Sequence, residues 1–415
     1  MTDKFHYACS DCGASYTTDK VMYLCPACQP MNQPDQPPKG VLKIIYNYKE
    51  IRNQRPAAKL FAYLQKKNFL SLLPITGMKS WPKLRVGNTP LYHFNRFDAE
   101  DLNFELYLKD DAQNPTFSFK DRASALVSAW AHENNINTII AASTGNAGSS
   151  LAGICASQGQ RSVIFVPARA PLAKLTQIIM YGATIIPVDG TYDQAFDLSV
   201  KASEIYGFYN RNTAYNPFTI EGKKIVSFEL FGDLKQQIPD RIFVPVGDGV
   251  IISGVYKGFE DLLQLGIIGR MPVIVAVQAA GSNNLTRNID QSRFEAAASV
   301  TLADSISVDI PRNFHMTVGF LKQYAGEWIT IDDEEIMKAS QRLSRSTGIF
   351  AEPAAAAALA GLLKYKDMGR IPAGSKNIVL LTGSGLKDLK SVQSIIHLPQ
   401  PIKPEIKSLE KIFTK

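Results

Sequence analysis

The sequence predicts an α/β fold with two open α/β domains, each on a mostly parallel sheet, and a small cysteine ribbon at the N-terminus. Three observations carry this. From residue 100 onward, short β-branched or apolar runs alternate with helical patterns, as in parallel sheets covered by helices on both faces. Four of the five cysteines fall in the first 28 residues. Three loops rich in Gly, Ser, Thr or Asn leave strand-like runs, which is where open α/β sheets hold ligands.

The ribbon comes first. Cys9, Cys12, Cys25 and Cys28 are spaced C-x2-C-x12-C-x2-C. Two close thiolate pairs separated by a short hairpin can close a tetrahedron around zinc. GASYTTDKVMYL between them alternates like that hairpin. Protein fills all four positions, so a Zn2+ held there is structural. MNQPDQPPKG, residues 31–40, reads as a Pro-rich linker. A helical stretch follows at AAKLFAYLQKKN. Ribbon and linker take residues 1–38.

The strand runs are FELYLKD, NTIIAAS, RSVIFVPA, ATIIPVD, RIFVPVG, PVIVAVQA and NIVLLTG. SSLAGICASQG, PLAKLTQIIMYG and YDQAFDLSVKASEIYG read as helices between them. Cys155, on the first of these, reads as core.

Composition narrows the function. The 415 residues are 45% hydrophobic and 20% charged, and the net charge is +7. Lys and Arg are scattered, which argues against a nucleic-acid surface and suits a small anionic substrate. No apolar run has membrane-spanning length and the N-terminus lacks an apolar signal core, so a cytoplasmic protein without membrane contact is expected.

The chemistry sits in the loops. ASTGNAGSS, residues 142–150, places Ser143, Thr144 and Asn146 at a helix start, where an anion is favoured. Ser143 and Thr144 read equally well as helix caps. VPVGDGVIISG, residues 244–254, is again strand, loop and helix; it is not G-x-G-x-x-G, and no Walker sequence occurs. LTGSG, residues 381–385, follows the last strong strand. NPTFSFKDRAS, residues 114–124, puts Lys120 at the head of a helix.

Together NPTFSFKDR, STGNAGSSLAG, VGDGVIISG, FAEPAAAAALAGL and LTGSG resemble fold-type II pyridoxal-phosphate enzymes. Within that superfamily, the chain resembles the threonine synthases that begin with a zinc ribbon. The likeness covers nearly the whole chain, VGNTPLYHF at residues 86–94 included. It implies a large domain made of 39–125 with 226–415 and a small one of 126–225. It also implies pyridoxal 5′-phosphate as cofactor and Lys120 as the catalytic lysine joined to its aldehyde. A nucleophilic amine must be neutral, and burial favours that form. Asn146 would bind the cofactor's phenolic oxygen. Gly247, Asp248, Gly249, Val250 and Ile251 would hold its phosphate, and Thr382 would face the pyridine nitrogen. Ser143, Thr144 and Ala147 would hold the substrate carboxylate. The implied reaction turns O-phospho-L-homoserine and water into L-threonine and phosphate, and a homodimer is expected. A phosphorylated substrate needs cations: Lys174 first, then Arg169, Lys223 or Lys224.

Two features depart from the family pattern. Asp248, Val250 and Ile251 stand where small or amide residues are usual. Phe117 stands where glycine or alanine is common, and its ring would reshape the substrate pocket. Cysteate synthase and threonine or serine ammonia-lyase are the nearest alternative activities, and a non-catalytic homologue is a third reading. His315 lies in a segment that could cover the site. Glu352 could approach the cofactor ring, or simply open its helix ahead of Pro353.

Overall fold

A computed structural model of the chain describes residues 4–17, 23–396 and 398–413. The strands, in chain order, are β1 (Phe5–Cys9), β2 (Ser15–Tyr16), β3 (Leu42–Tyr46), β4 (Leu91–Phe97), β5 (Glu100–Asp110), β6 (Thr138–Ala142), β7 (Arg161–Pro167), β8 (Thr184–Val188), β9 (Tyr209–Asn210), β10 (Arg241–Pro245), β11 (Val273–Ala279), β12 (Glu327–Ile331) and β13 (Lys376–Leu381). Among the described residues they form three sheets, ordered β2-β1-β3, β12-β11-β10-β13-β5-β4 and β8-β7-β6-β9.

The six-stranded sheet is parallel except for β4, which runs antiparallel to β5 at one edge. Its faces separate by strand alternation. Ile242 and Val244 of β10 enter one core, shared with the helix Val250–Gln264. Phe243 enters the opposite core, shared with the helix Pro353–Asp367. That second helix is alanine-rich, which lets it lie close to the sheet. A side chain at its Gly361 would come within 2.6 Å of Val277. The four-stranded sheet is parallel throughout. Ile139 and Ala141 of β6 face one core while Ile140 and Ala142 face another. The expected strand runs and helices are all found. Sequence reading did not name β1, β3, β4, β9 and β12; all but β1 lie at a sheet edge, and β1 is a five-residue run at the N-terminus.

The N-terminal sheet differs from expectation. β1 pairs antiparallel with β2 and with β3, and β3 lies beyond the boundary expected at residue 38. Leu42, Ile44 and Tyr46 must bury one face of β3, and β1 offers the partner. The helix Lys120–Glu133 likewise runs through the boundary expected at 125. Residues 18–22 of the expected hairpin lie outside the described residues. The Pro-rich segment is docked rather than free: Gln36 donates to the Phe294 carbonyl at 3.2 Å, and the Pro37 carbonyl lies 3.4 Å from His315 Nε2.

Candidate active site

The carboxyl ends of β6, β9, β10 and β13 open onto one cavity of about 480 Å3. Lys120, Ser143, Thr144, Asn146, Ala147, Lys174, Gly247, Asp248, Gly249, Val250, Ile251 and Thr382 all line it. The residues singled out in the loops therefore converge.

Backbone pairing stitches the loops together. Ser118 bridges Gly383, and Ala351 bridges Ser384. Phe119 N–H donates to the Thr382 carbonyl at 2.9 Å, and Glu352 N–H to the Gly383 carbonyl at 3.1 Å. Lys120, Thr382 and Glu352 thus share one frame. The residues after Lys120 fix its helix. Asp121 accepts from Thr116 N at 2.7 Å and from Thr116 Oγ1 at 2.5 Å. Arg122 points away from the cavity and reaches Asp111 at 2.6 Å and Glu229 at 2.6 Å. Lys109 joins Glu229 at 2.9 Å. These buried pairs hold the helix start in one position.

Lys120 keeps an opening onto the cavity. Burial holds its amine below the usual lysine range, Glu352 and Asp248 oppose this, and Arg211 adds to it. A lysine so placed supplies a neutral amine more readily than a solvated one. Glu352 is 3% exposed. Burial raises its carboxyl, against the Asn146 hydrogen bond and the charge of Lys120. It lines the cavity and also opens the helix Pro353–Asp367.

The glycine loop is built for a close approach. Gly249 has φ +85°, and a Cβ there would lie 2.3 Å from Thr317 Oγ1. A Cβ at Gly247 would lie 2.9 Å from the Ile306 Cα. The helix Val250–Gln264 starts directly after, and its free N–H groups favour an anion. The Asp248 carboxylate accepts from Arg312 N at 3.3 Å.

Some expectations are corrected. Phe117 lines a separate cavity with Tyr92, Phe94 and Phe350. At φ +68° the backbone turns its ring away from the Lys120 side, so it does not shape that pocket. Arg169 is exposed and does not line the cavity. Lys224 lies outside it as well, in a buried cluster with Asp261 at 2.7 Å. Lys174 reaches the rim but is held by Asp304 at 2.8 Å. His315 faces Asp11 of the N-terminal unit at 3.7 Å rather than the cavity. Lys223 does line the cavity, and so do Arg211, Tyr192 and Arg312, which sequence reading did not single out. Arg211 follows β9, a strand too short to recognise by pattern, so its place at a strand end was hidden.

Residues 83–383 match the family of pyridoxal-phosphate dependent enzymes. The chain belongs to this family. Within the family, its relatives include a threonine synthase of Methanocaldococcus jannaschii, 33% identical over 417 residues and 98% of each chain. A threonine synthase of Halalkalibacterium halodurans is 34% identical over 337 residues, 81% of this chain and 93% of its own. Among solved structures, maize serine racemase superposes with a TM-score of 0.63 at 23% identity, covering 74% of this chain and 92% of that one. The processed threonine deaminase isoform 2 of Solanum lycopersicum gives 0.62 at 19% identity, covering 85% and 93%. These two likenesses are of fold.

The four cysteines form a second cluster. Their sulfurs all lie within 4.8 Å of one another. Cys9 and Cys28 are 3.8 Å apart, and Cys12 and Cys25 are 3.7 Å apart. A tetrahedral Zn2+ with ordinary zinc–sulfur bonds would set sulfurs about 3.8 Å apart. Gly40, at φ +88°, crosses the cluster so closely that a Cβ would lie 3.1 Å from the Cys28 Cβ.

Proposed function

We propose that this family member is a threonine synthase, converting O-phospho-L-homoserine and water into L-threonine and phosphate. The observation that carries the reading is the 33% identity to the Methanocaldococcus jannaschii threonine synthase along 98% of both chains. The cavity supports it. An enclosed amine, a glycine cradle at a helix N-terminus and a row of loop hydroxyls suit pyridoxal 5′-phosphate and an amino-acid substrate.

On this reading, Lys120 holds the cofactor, and the N–H groups of Gly247–Ile251 hold its phosphate. Asn146 donates to the phenolic oxygen. Thr382 offers the pyridine nitrogen a hydroxyl, which does not force protonation as a carboxylate would. When bound, the cofactor draws off the electrons freed at the substrate's α carbon. Ser143, Thr144 and Ala147 orient the substrate carboxylate. The Lys120 amine takes and returns protons at the α and β carbons, each a short local transfer. Cys9, Cys12, Cys25 and Cys28 hold a structural Zn2+.

The test is product analysis. Cofactor-loaded protein given O-phospho-L-homoserine should release threonine and phosphate in equal amounts. Phosphate with a keto acid would mean elimination without water addition. No turnover by fully loaded protein would overturn the assignment.

A further inference from the structure

We propose that Arg211 and Lys223 form a buried phosphate subsite in the wall of the Lys120 cavity, and that it receives the phosphate group leaving the substrate. The second half rests on a phosphorylated substrate, as proposed above.

Buried cations in this chain follow a rule with two exceptions. Among the described residues, six lysines and arginines are buried: Lys109, Arg122, Arg211, Lys223, Lys224 and Lys257. Lys109 and Arg122 pair with Glu229, and Lys224 and Lys257 with Asp261. Arg211 and Lys223 pair with no carboxylate among the described residues. Arg211 Nε donates to Ser124 Oγ at 3.2 Å and Nη1 to Thr213 Oγ1 at 3.1 Å, while Nη2 is buried without a partner. Among the described residues, Lys223 Nζ donates only to the Thr219 carbonyl, at 3.2 Å.

Both line the cavity and neither side chain is exposed. Like charges crowd Lys223, which feels Arg211 and Lys120 with Asp248 opposing, while Tyr192 and Asp121 favour the charge of Arg211 from a distance. An unpaired buried charge is costly, and burial beside Arg211 and Lys120 pushes Lys223 toward its neutral amine; an entering anion would relieve that cost and favour the charged form. An ammonium beside a guanidinium edge matches a tetrahedral dianion. The cavity thus offers two anion sites of different make. One is backbone, at the glycine loop and helix start, and suits the cofactor. The other is side-chain cation, beside Lys120, where the reacting carbons must lie. Breaking the carbon–oxygen bond leaves its electron pair on phosphate, so charge grows where a preorganised cation is most effective. Lys174, exposed and paired with Asp304, is less suited to that task.

The test uses inorganic phosphate as probe, titrated by calorimetry into the cofactor-loaded protein, so no turnover is needed. Lys223→Gln should weaken phosphate binding about tenfold or more, as expected for loss of a charge-assisted contact. Lys223→Arg should keep most of it; Arg211→Gln should weaken it likewise and serves if the first variant folds poorly. Affinity of the apoprotein for pyridoxal 5′-phosphate should stay within about threefold, since backbone groups hold that phosphate. Unchanged phosphate binding in Lys223→Gln, or in Arg211→Gln where the first does not fold, would overturn the subsite. A loss of pyridoxal 5′-phosphate affinity with pyridoxal affinity intact would show the subsite to be the cofactor's and overturn the assignment to the leaving group. Failure to turn over O-phospho-L-homoserine, with phosphate binding still lost in Lys223→Gln, would leave the subsite standing and sink only the substrate.

Discussion

Asn146 Nδ2 lies 3.0 Å from Glu352 Oε1 and 3.2 Å from Oε2. Asn146 starts the helix after β6 of the four-stranded sheet, and Glu352 precedes the helix Pro353–Asp367 of the six-stranded sheet. The hydrogen bond therefore crosses the cavity and ties the two sheets together. Ser305 Oγ also reaches Glu352, at 3.3 Å.

A pH dependence follows from this carboxyl. Burial raises Glu352 in the folded chain, against Asn146 and the nearby Lys120 and Lys387. Such a group binds more protons folded than unfolded, so stability falls as pH rises past the ordinary carboxylate range of about 4.3. Glu352→Gln keeps an acceptor for Asn146 and removes the titration. Urea unfolding of the apoprotein should show the variant gaining on the wild type as pH rises above the ordinary carboxylate value of about 4.3. A difference independent of pH would show that the carboxyl is not raised.

Lys120 is placed by its neighbours more than by its own contacts. Its helix is held by Asp121 on Thr116 and by Arg122 on Asp111 and Glu229. Lys120→Ala should therefore fold normally, with a thermal midpoint within a few degrees of the wild type, because it removes a costly buried amine. It should lose covalent attachment of the cofactor. Reduction with borohydride followed by intact mass measurement should add the cofactor's mass to the wild type and nothing to the variant. A variant that still gained that mass would remove Lys120 from its role.

Gly249 is constrained by conformation and by space. At φ +85° a side chain is strained, at a cost of about 1–3 kcal/mol. The added Cβ would also meet Thr317 Oγ1 at 2.3 Å. Gly249→Ala should lower stability by that amount or more and weaken pyridoxal 5′-phosphate binding, read by fluorescence titration. Gly249→Ala with Thr317→Ala removes the collision but not the strain, so it should recover only part. Full recovery would mean that space alone demands the glycine.

Much of this was legible in the sequence, for physical reasons. Continuous apolar runs such as RIFVPVG and NIVLLTG mark strands buried on both faces. Loops of small residues at their ends announced the cavity, and the cysteine spacing announced the thiol cluster. What was not legible depends on contacts distant in sequence. Phe117 looked like a neighbour of Lys120, but its backbone turns the ring into another cavity. Lys174 looked free, but Asp304 comes to it from 130 residues away. Arg211 looked like one of many scattered arginines. Its burial without a carboxylate is a property of the packed fold, and no local pattern announces it.

The thiol cluster also bears on the main body. Tyr23, two residues before Cys25, accepts from Asn210 N at 2.8 Å and stacks on Tyr215 at 4.4 Å. Asn210 directly precedes Arg211. The N-terminal unit thus buttresses the chain segment that carries the proposed phosphate subsite. Cys9→Ser with Cys12→Ser leaves two thiol ligands, too few for a structural zinc site. Metal analysis should find no stoichiometric zinc in the double variant. Hydrogen exchange should quicken along β1 and β2 and at Asn210, whose amide loses a fixed acceptor. Cofactor binding should change little, because among the described residues no hydrogen bond or ion pair joins the glycine loop or Lys120 to the cluster. Zinc content equal to the wild type would overturn the metal assignment. Zinc loss with Asn210 still protected would show that Tyr23 holds its place through the tyrosine stack alone.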